Sequence, residues 1–284
     1  MKGYSKDFLT AKESATESAL DFAIKAADWI VGKLPEYTEK RSPTLPDLKL
    51  IAHRGAWKDR GCLENTFKAF DRAREVGVWG LEFDVRFTKD DIPVIHHDET
   101  LLRTFGRPLL IENLTLSTLR HEAPDIPTLA ETVAEYGKSL HLFIEVKDSR
   151  DRLTDLRLKR ILEPCESAGL RPEENYHFMS FDTETLEALS KRLGLSRRAL
   201  VSIATTNPTL ISDYTLNHGL KGFTCHWLMM SQALLHRHHS IHQLCGVGFA
   251  DSKKSLHREW ARGIDWIFTN QAPAAVEWLD ELTK

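Results

Sequence analysis

The sequence predicts an α/β fold, a closed (β/α)₈ barrel that follows an N-terminal helical extension. Three observations lead to this fold class. The chain has 284 residues, which is the size of one barrel of about 250 residues plus a short extension. From residue 48 onward, short apolar segments alternate with amphipathic helical ones. Charged residues stand at the ends of the early apolar segments, where a parallel barrel carries its active site.

Residues 1–47 are predicted to be an amphipathic helical extension with a linker. Apolar residues recur every three or four positions between residues 7 and 34, and Pro35, Pro43 and Pro46 then end the pattern. We expect this helix to pack on the outside of the barrel. A contact between two copies of the chain and docking on a membrane surface remain open as alternatives.

Residues 48–284 are predicted to form the barrel itself. Eight strands are expected at 48–52, 79–83, 140–146, 175–179, 199–203, 222–224, 243–247 and 266–268, with an extra strand at 93–96. Eight helices are expected at 66–76, 129–136, 153–168, 183–193, 209–218, 231–242, 254–262 and 273–282. Eight βα units are the number that a closed parallel barrel requires.

The composition narrows the functional class. A net charge of −3 argues against a nucleic-acid binder, because such domains usually carry a basic excess. The four cysteines are scattered, so we expect free thiols in a reducing cytoplasm. Charged residues interrupt the apolar stretches near the N-terminus, so we expect neither a signal peptide nor a membrane span there. We therefore expect a cytoplasmic protein. Its substrate is expected to be a small molecule.

Carboxylates on two strands suggest a metal site. Glu82 and Asp84 are two apart on one predicted strand, so both face the barrel interior. Glu145 and Lys147 repeat this spacing on the next barrel strand. Buried like charges are costly unless a cation compensates them, and oxygen ligands suit Mg²⁺, Ca²⁺ or Mn²⁺. The alternatives are that one carboxylate of the first pair faces solvent, and that the second pair is a plain buried ion pair.

Two histidine positions suggest proton transfer. His53 and Arg54 follow the first strand, where they offer an acid–base group and a forked cation suited to phosphate. The extra strand ends in His96, His97 and Asp98. Because strand residues alternate, we expect one of the two histidines to point into the site, with Asp98 able to orient an imidazole.

Taken in order, these motifs resemble the glycerophosphodiester phosphodiesterase family. The matching segments are His53-Arg54-Gly55, Glu64-Asn65-Thr66, Glu82-x-Asp84, Pro93-Val94 with His97-Asp98, Glu145-x-Lys147, Ser180-Phe181-Asp182, and Gly263-Ile264-Asp265 through Phe268-Thr269-Asn270. The likeness covers roughly residues 48–275. The combination is specific, although each segment alone is not.

The resemblance implies a TIM-type barrel with roles for seven residues. A divalent cation, Mg²⁺ or Ca²⁺, would be bound by Glu82, Asp84 and Glu145. A general acid and base pair would be His53 and His97. The substrate phosphate would be bound by Arg54 and Lys147. The resemblance leaves His96 unmatched, and Glu64 is expected to support the site while Asn65 or Thr66 caps the first helix.

The sequence departs from the family near the end of the seventh barrel strand. Members often carry a Trp-Thr-Val-Asn-like segment there, where this chain has Gly246-Val247-Gly248-Phe249. An aromatic wall of the substrate pocket is then either missing or supplied elsewhere, by Phe249 or Trp227. A group of histidines at 236, 238, 239 and 242 is interpreted as a solvated helix face, because no cysteine or carboxylate completes a metal site.

The leading functional hypothesis is hydrolysis of glycerophosphodiesters to glycerol 3-phosphate and an alcohol. A second hypothesis is a lysophospholipase D or sphingomyelinase-D-like activity on a similar barrel. A third is a catalytically silent binding barrel, which the retained charged motifs argue against because unused buried charges destabilise a fold.

Overall fold

Strands and helices alternate through the described part of the chain, which in this computed structural model is residue 26 together with residues 47–283. The strands in these residues are β1 (Lys49–His53), β2 (Gly80–Phe87), β3 (Pro93–Ile95), β4 (His141–Val146), β5 (Tyr176–Ser180), β6 (Leu200–Ala204), β7 (Gly222–His226), β8 (Leu244–Gly248) and β9 (Trp266–Thr269). All except β3 pair in parallel, and β1 closes the ring by pairing with both β2 and β9. The predicted (β/α)₈ TIM barrel is confirmed.

The helices cover the outside of this ring. Those in the described residues are α1 (Phe67–Val76), α2 (Leu102–Phe105), α3 (Leu116–Glu122), α4 (Leu129–Tyr136), α5 (Asp155–Ser167), α6 (Thr183–Leu193), α7 (Pro208–His218), α8 (Gln232–His239), α9 (Lys253–Arg262) and α10 (Ala272–Thr283). Several of these helices have a polar residue at the N-cap. Thr128, for example, precedes α4 and forms a capping box with Glu131. None of the helices in the described residues has the length and apolar character needed to cross a membrane.

The strands divide the core into an outer layer and a lumen. Outward side chains such as Phe83 and Ile144 pack under the helices. Inward side chains fill the barrel with a separate cluster that includes Ile51, Phe143 and Trp266. The lumen is therefore a packed core below the polar residues, as is usual for eight-stranded barrels.

Strand register aligns the polar residues above that core. His53 on β1 pairs with Glu82 on β2, and Asp84 on β2 pairs with Glu145 on β4. Parallel strands in register bring side chains of the same face to the same height. These residues therefore meet at the carboxyl ends of the strands.

The structure also differs from several sequence expectations. The second strand continues to Phe87, past the end expected at residue 83, and it contains both Glu82 and Asp84. Helices α2 and α3 were not predicted, because both are short and lie between β3 and α4. The predicted extension at residues 1–47 lies, apart from Ala26 and Asp47, outside the described residues, so its role stays a prediction.

The histidine group on α8 is not a solvated face throughout, so that interpretation was wrong for part of it. His238 is fully buried, and its ring nitrogens contact the Ser212 hydroxyl and the Gln243 side chain. His239 contacts the carboxylate of Asp265. Helical spacing placed His238 inward, where hydrogen bonds to polar neighbours compensate its burial.

Candidate active site

Three buried carboxylates form the centre of the site. Ligand oxygens of Glu82, Asp84 and Glu145 all lie within 4.8 Å of one another, and each residue is at most 4% exposed. The Oε1 atom of Glu82 is buried without a hydrogen-bond partner among the described residues. A buried, unpartnered carboxylate oxygen is costly, and a hard divalent cation would compensate it because such ions prefer oxygen ligands. The donor set fits a metal ion.

Two cations lie against this cluster. The Nζ atom of Lys147 is 2.9 Å from Oδ1 of Asp84 and 2.6 Å from Oε1 of Glu145. The Nε atom of Arg54 is 3.2 Å from Oδ2 of Asp84. Asp84 is thus held between both cations. Among the described residues, Glu82 forms an ion pair with neither Lys147 nor Arg54.

The carboxylates differ in their affinity for protons. Burial, followed by the negative charges of Asp84 and Glu145, raises the pKa of Glu82 well above its ordinary value. Burial also raises the pKa of Glu145, although Lys147 opposes the rise. Burial alone would raise the pKa of Asp84 too, but Lys147 and Arg54 hold it well below its usual range. The protein's own cations therefore neutralise only part of the negative charge.

The backbone at Arg54 is constrained. Its φ angle is 58°, a left-handed conformation that costs a residue with a side chain on the order of 1–3 kcal/mol. Its amide donates to the backbone oxygen of Glu82 at 2.9 Å and to its Oε2 at 3.1 Å. Its Nη1 donates to Oε1 of Glu64 at 2.9 Å. These contacts hold the guanidinium at the mouth of the barrel.

His53 lies beside the carboxylates at the end of β1. Its Nδ1 is 2.8 Å from Oδ1 of Asn270, and its Nε2 is 3.7 Å from Oε2 of Glu82. Burial, and then the positive charge of Arg54, lowers the pKa of His53 to about 3. The imidazole is therefore neutral at physiological pH, with Nε2 on the carboxylate side.

His97 is held by a carboxylate instead of an amide. Its Nδ1 is 2.6 Å from Oδ1 of Asp98, and burial, followed by the charge of Arg54, lowers its pKa to about 4. His96 is buried outside this arrangement, with its nitrogens on the Asp98 carbonyl and the Thr104 hydroxyl. The expectation that one of the two histidines faces the site, with Asp98 orienting it, agrees with this geometry.

Arg103 is a functional candidate that the sequence reasoning missed. Its Nη2 lies 2.6 Å from Oε1 of Glu64, and its Nε lies 2.7 Å from Oδ2 of Asp98. It therefore joins the carboxylate that binds Arg54 to the carboxylate that binds His97. Arg103 lies on the four-residue helix α2, which is too short for helical periodicity to indicate its direction.

The segment before α1 also contributes to the site. Asn65 donates from Nδ2 to Oδ2 of Asp84 at 2.8 Å, while Thr66 is the residue that caps α1. Of the two alternatives for the cap, the hydroxyl is the one observed. Asn65 instead helps to fix the most buried of the three carboxylates.

The two proposed aromatic wall residues have different surroundings. The Phe249 ring meets His53 edge to face, with ring centroids 5.0 Å apart. Trp227 is 1% exposed and belongs to the apolar cluster under the helices. Phe249 therefore lines the mouth of the site, and Trp227 does not.

Fold and site together define a TIM-barrel protein with an acidic centre, two imidazoles and two cations at the carboxyl ends of its strands. The model of the glycerophosphoryl diester phosphodiesterase family matches residues 53–272. The chain belongs to this family.

Individual relatives agree with this assignment. Human glycerophosphodiester phosphodiesterase 1 is 33% identical over 165 residues, which cover 51% of this chain and 49% of that protein. The chain thus spans about half the length of the curated relatives it matches first. A glycerophosphodiester phosphodiesterase structure from Thermotoga maritima has a TM-score of 0.68 at 22% identity, covering 82% of this chain and 98% of that one. An Oleispira antarctica phosphodiesterase in complex with the product sn-glycerol-3-phosphate has a TM-score of 0.69 at 21% identity, covering 83% and 97%. These structures support the fold.

Proposed function

We propose that the chain hydrolyses glycerophosphodiesters to glycerol 3-phosphate and an alcohol. The observation that carries this proposal is the buried cluster of Glu82, Asp84 and Glu145. His53 lies beside Glu82, and His97 is close enough to help lower the pKa of Asp84. Family membership supports the reaction class. The product named for the Oleispira antarctica protein supports the choice of substrate.

Glu82, Asp84 and Glu145 would hold a divalent cation, either Mg²⁺ or Ca²⁺. Such an ion supplies positive charge that polarises the phosphoryl group and stabilises developing negative charge. The raised pKa of Glu82 and of Glu145, both caused first by burial, supports this assignment, because a bound cation would favour their ionised forms.

The remaining four residues would bind the substrate and move protons. Arg54 and Lys147 carry the positive charges that face the cluster, and they would bind the phosphate. Of His53 and His97, the residue that acts as the base must be neutral, and the residue that acts as the acid must carry hydrogens on both ring nitrogens. One would take the proton of the attacking hydroxyl, from water or from the neighbouring glycerol hydroxyl, and the other would protonate the leaving alcohol.

A metal-dependence assay on a panel of diesters tests the proposal. Glycerophosphodiesters of choline, ethanolamine, glycerol and inositol are incubated with the full chain, with and without Mg²⁺ or Ca²⁺, and glycerol 3-phosphate is measured. We expect metal-stimulated release that Glu82→Ala abolishes. Glu259→Ala is the matched control, because Glu259 is another fully buried glutamate, which pairs with Arg262 on helix α9.

The other hypotheses are separate outcomes of this panel. Cleavage of lysophospholipids or sphingomyelin without cleavage of the small diesters would favour a lysophospholipase D or sphingomyelinase-D-like enzyme. Absence of any metal-stimulated product release would favour a silent binding barrel and refute the proposal.

We also propose a cytoplasmic location. The four cysteines are buried free thiols, which is the form that a reducing compartment maintains. Association between copies of the chain and docking on membranes through residues 7–34 concern a segment outside the described residues, and both stay predictions.

A further inference from the structure

Behind His53, between the ends of β8 and β9, lies one further carboxylate, that of Asp251. Asp251 accepts a hydrogen bond on Oδ1 from the Thr269 hydroxyl at 2.7 Å and from the backbone amide of Asn270 at 3.0 Å. Its Oδ2 accepts from Nδ2 of Asn270 at 3.1 Å. Asn270 in turn places Oδ1 at 2.8 Å from Nδ1 of His53. The three side chains form a continuous chain of hydrogen bonds, here called the Asp251 relay.

The relay determines which ring nitrogen of His53 carries the hydrogen in the single-proton form of the ring. An ionised carboxylate only accepts hydrogen bonds, so Asp251 requires the NH₂ end of the Asn270 amide. The oxygen end of that amide must then face His53. An amide oxygen only accepts, so Nδ1 of His53 carries the hydrogen and Nε2 keeps its lone pair. Nε2 is the nitrogen on the side of Glu82.

We propose that Asp251 is a positioning residue, which acts through Asn270 to hold His53 in the tautomer that leaves Nε2 free to accept a proton. The role of His53 in turnover rests on the proposed phosphodiesterase function. In that reaction, the O–H bond of the attacking hydroxyl breaks as its oxygen bonds to phosphorus, and the proton passes to Nε2. The P–O bond to the leaving alcohol breaks, its electron pair stays on the alcohol oxygen, and that oxygen takes its proton from the imidazolium form of the other histidine.

The two histidines then differ in what holds them. His97 has the Asp98 carboxylate directly on Nδ1, which favours its protonated form. Nδ1 of His53 instead contacts the neutral amide of Asn270, and the carboxylate of Asp251 lies on the far side of that amide. This contrast suits His53 for accepting the proton and His97 for donating one.

Exchanging Asp251 for its isosteric amide tests the relay. In Asp251→Asn, the new NH₂ group faces Nδ2 of Asn270, so the Asn270 amide must rotate and present its NH₂ group to His53. The imidazole proton then moves to Nε2. The matched control is Asp265→Asn, because Asp265 also accepts a backbone amide between β8 and β9, from Cys245 at 2.8 Å, at the opposite end of these strands.

A double substitution provides the rescue. In Asp251→Asn/Asn270→Asp, the new amide at 251 donates to the new carboxylate at 270, whose other oxygen accepts from Nδ1 of His53. The tautomer should return to that of the unmodified protein, although the order of acid and amide is reversed. If Asp251→Asn acted only by destabilising the fold, the second substitution would not restore the tautomer of His53.

Two measurements are made on the full chain with Mg²⁺ present. Long-range ¹H–¹⁵N spectra report which ring nitrogen of His53 carries the proton, with its signals assigned by their loss in His53→Gln. Steady-state kinetics on glycerophosphocholine report kcat and KM. For Asp251→Asn we expect the Nε2–H tautomer and a kcat lower by about 10²-fold, the low end of the loss for an acid–base group, with KM nearly unchanged. The double variant should regain most of this loss, and Asp265→Asn should keep both the tautomer and kcat.

The relay is refuted if Asp251→Asn keeps the Nδ1–H tautomer, if the tautomer changes while kcat does not, or if a folded double variant recovers neither. Failure of the proposed function is distinguishable, because the tautomer is measured without turnover. If the expected tautomers are observed but no diester is cleaved, the positioning role of Asp251 stands and only the proposed reaction is refuted.

Discussion

Glu64 offers a test of how much a buried ion pair contributes to folding. It is 8% exposed and accepts hydrogen bonds from Arg54 and Arg103. Burial alone would raise its pKa, but these two cations lower the pKa of Glu64 from 4.5 to about 2. A shift of this size corresponds to about 3 kcal/mol in favour of the ionised form in the folded state.

The sign of the pH dependence follows from the direction of the shift. Because the folded-state pKa lies below the unfolded value, this stabilisation is fully present above pH 4.5. It is lost as the pH falls toward about 2, where Glu64 becomes protonated in both states. Glu64→Gln removes the ionisation altogether. The variant should therefore lose stability near neutral pH and approach the unmodified protein in acid.

Urea unfolding followed by tryptophan fluorescence measures the difference at several pH values. We expect the difference in the free energy of unfolding to shrink by about 3 kcal/mol between pH 5 and pH 2. Glu75→Gln serves as control, because Glu75 pairs with Arg72 on the surface and its side chain is 60% exposed; an exposed pair contributes about 0–1 kcal/mol. A difference for Glu64→Gln that does not change with pH would refute the reasoning.

Three further predictions concern the site and the lumen. His97→Ala should lower kcat by about 10²–10⁴-fold if His97 transfers a proton; a far-ultraviolet circular dichroism spectrum like that of the unmodified protein would show that the fold is intact. Arg103→Lys should lower kcat/KM by about 10–100-fold, the usual range for residues that orient functional ligands, because one ammonium cannot span both Glu64 and Asp98; unchanged kinetics would contradict a positioning role. Phe143→Ala should lower the free energy of unfolding by about 3–5 kcal/mol, because Phe143 is fully buried in the lumen cluster; denaturant titration measures the loss.

Strand periodicity was sufficient to predict the acidic centre. The inner face of a strand contains every second residue, so Glu82 and Asp84 had to point the same way, as did Glu145 and Lys147. The structure confirms that the three carboxylates meet. The orientation of these side chains depends on local strand geometry, so the residue spacing is sufficient to predict it.

Other contacts could not be read from spacing. His238 was misinterpreted because the helical pattern does not show that Ser212 and Gln243 compensate its burial. Arg103 was missed because its direction depends on a short segment between β3 and α4. In both cases the partners come from other elements, and only their packing brings them into contact.

The sequence by itself determined the barrel, the face on which the charges lie and the identity of the acidic residues, because these follow from a period of two along strands and from the order of the βα units. The tertiary structure decided which groups hold the two imidazoles. His53 and Asn270 are 217 positions apart, and they meet only because β1 pairs with β9 when the barrel closes. Local propensity carries no information about a partner that ring closure brings into place.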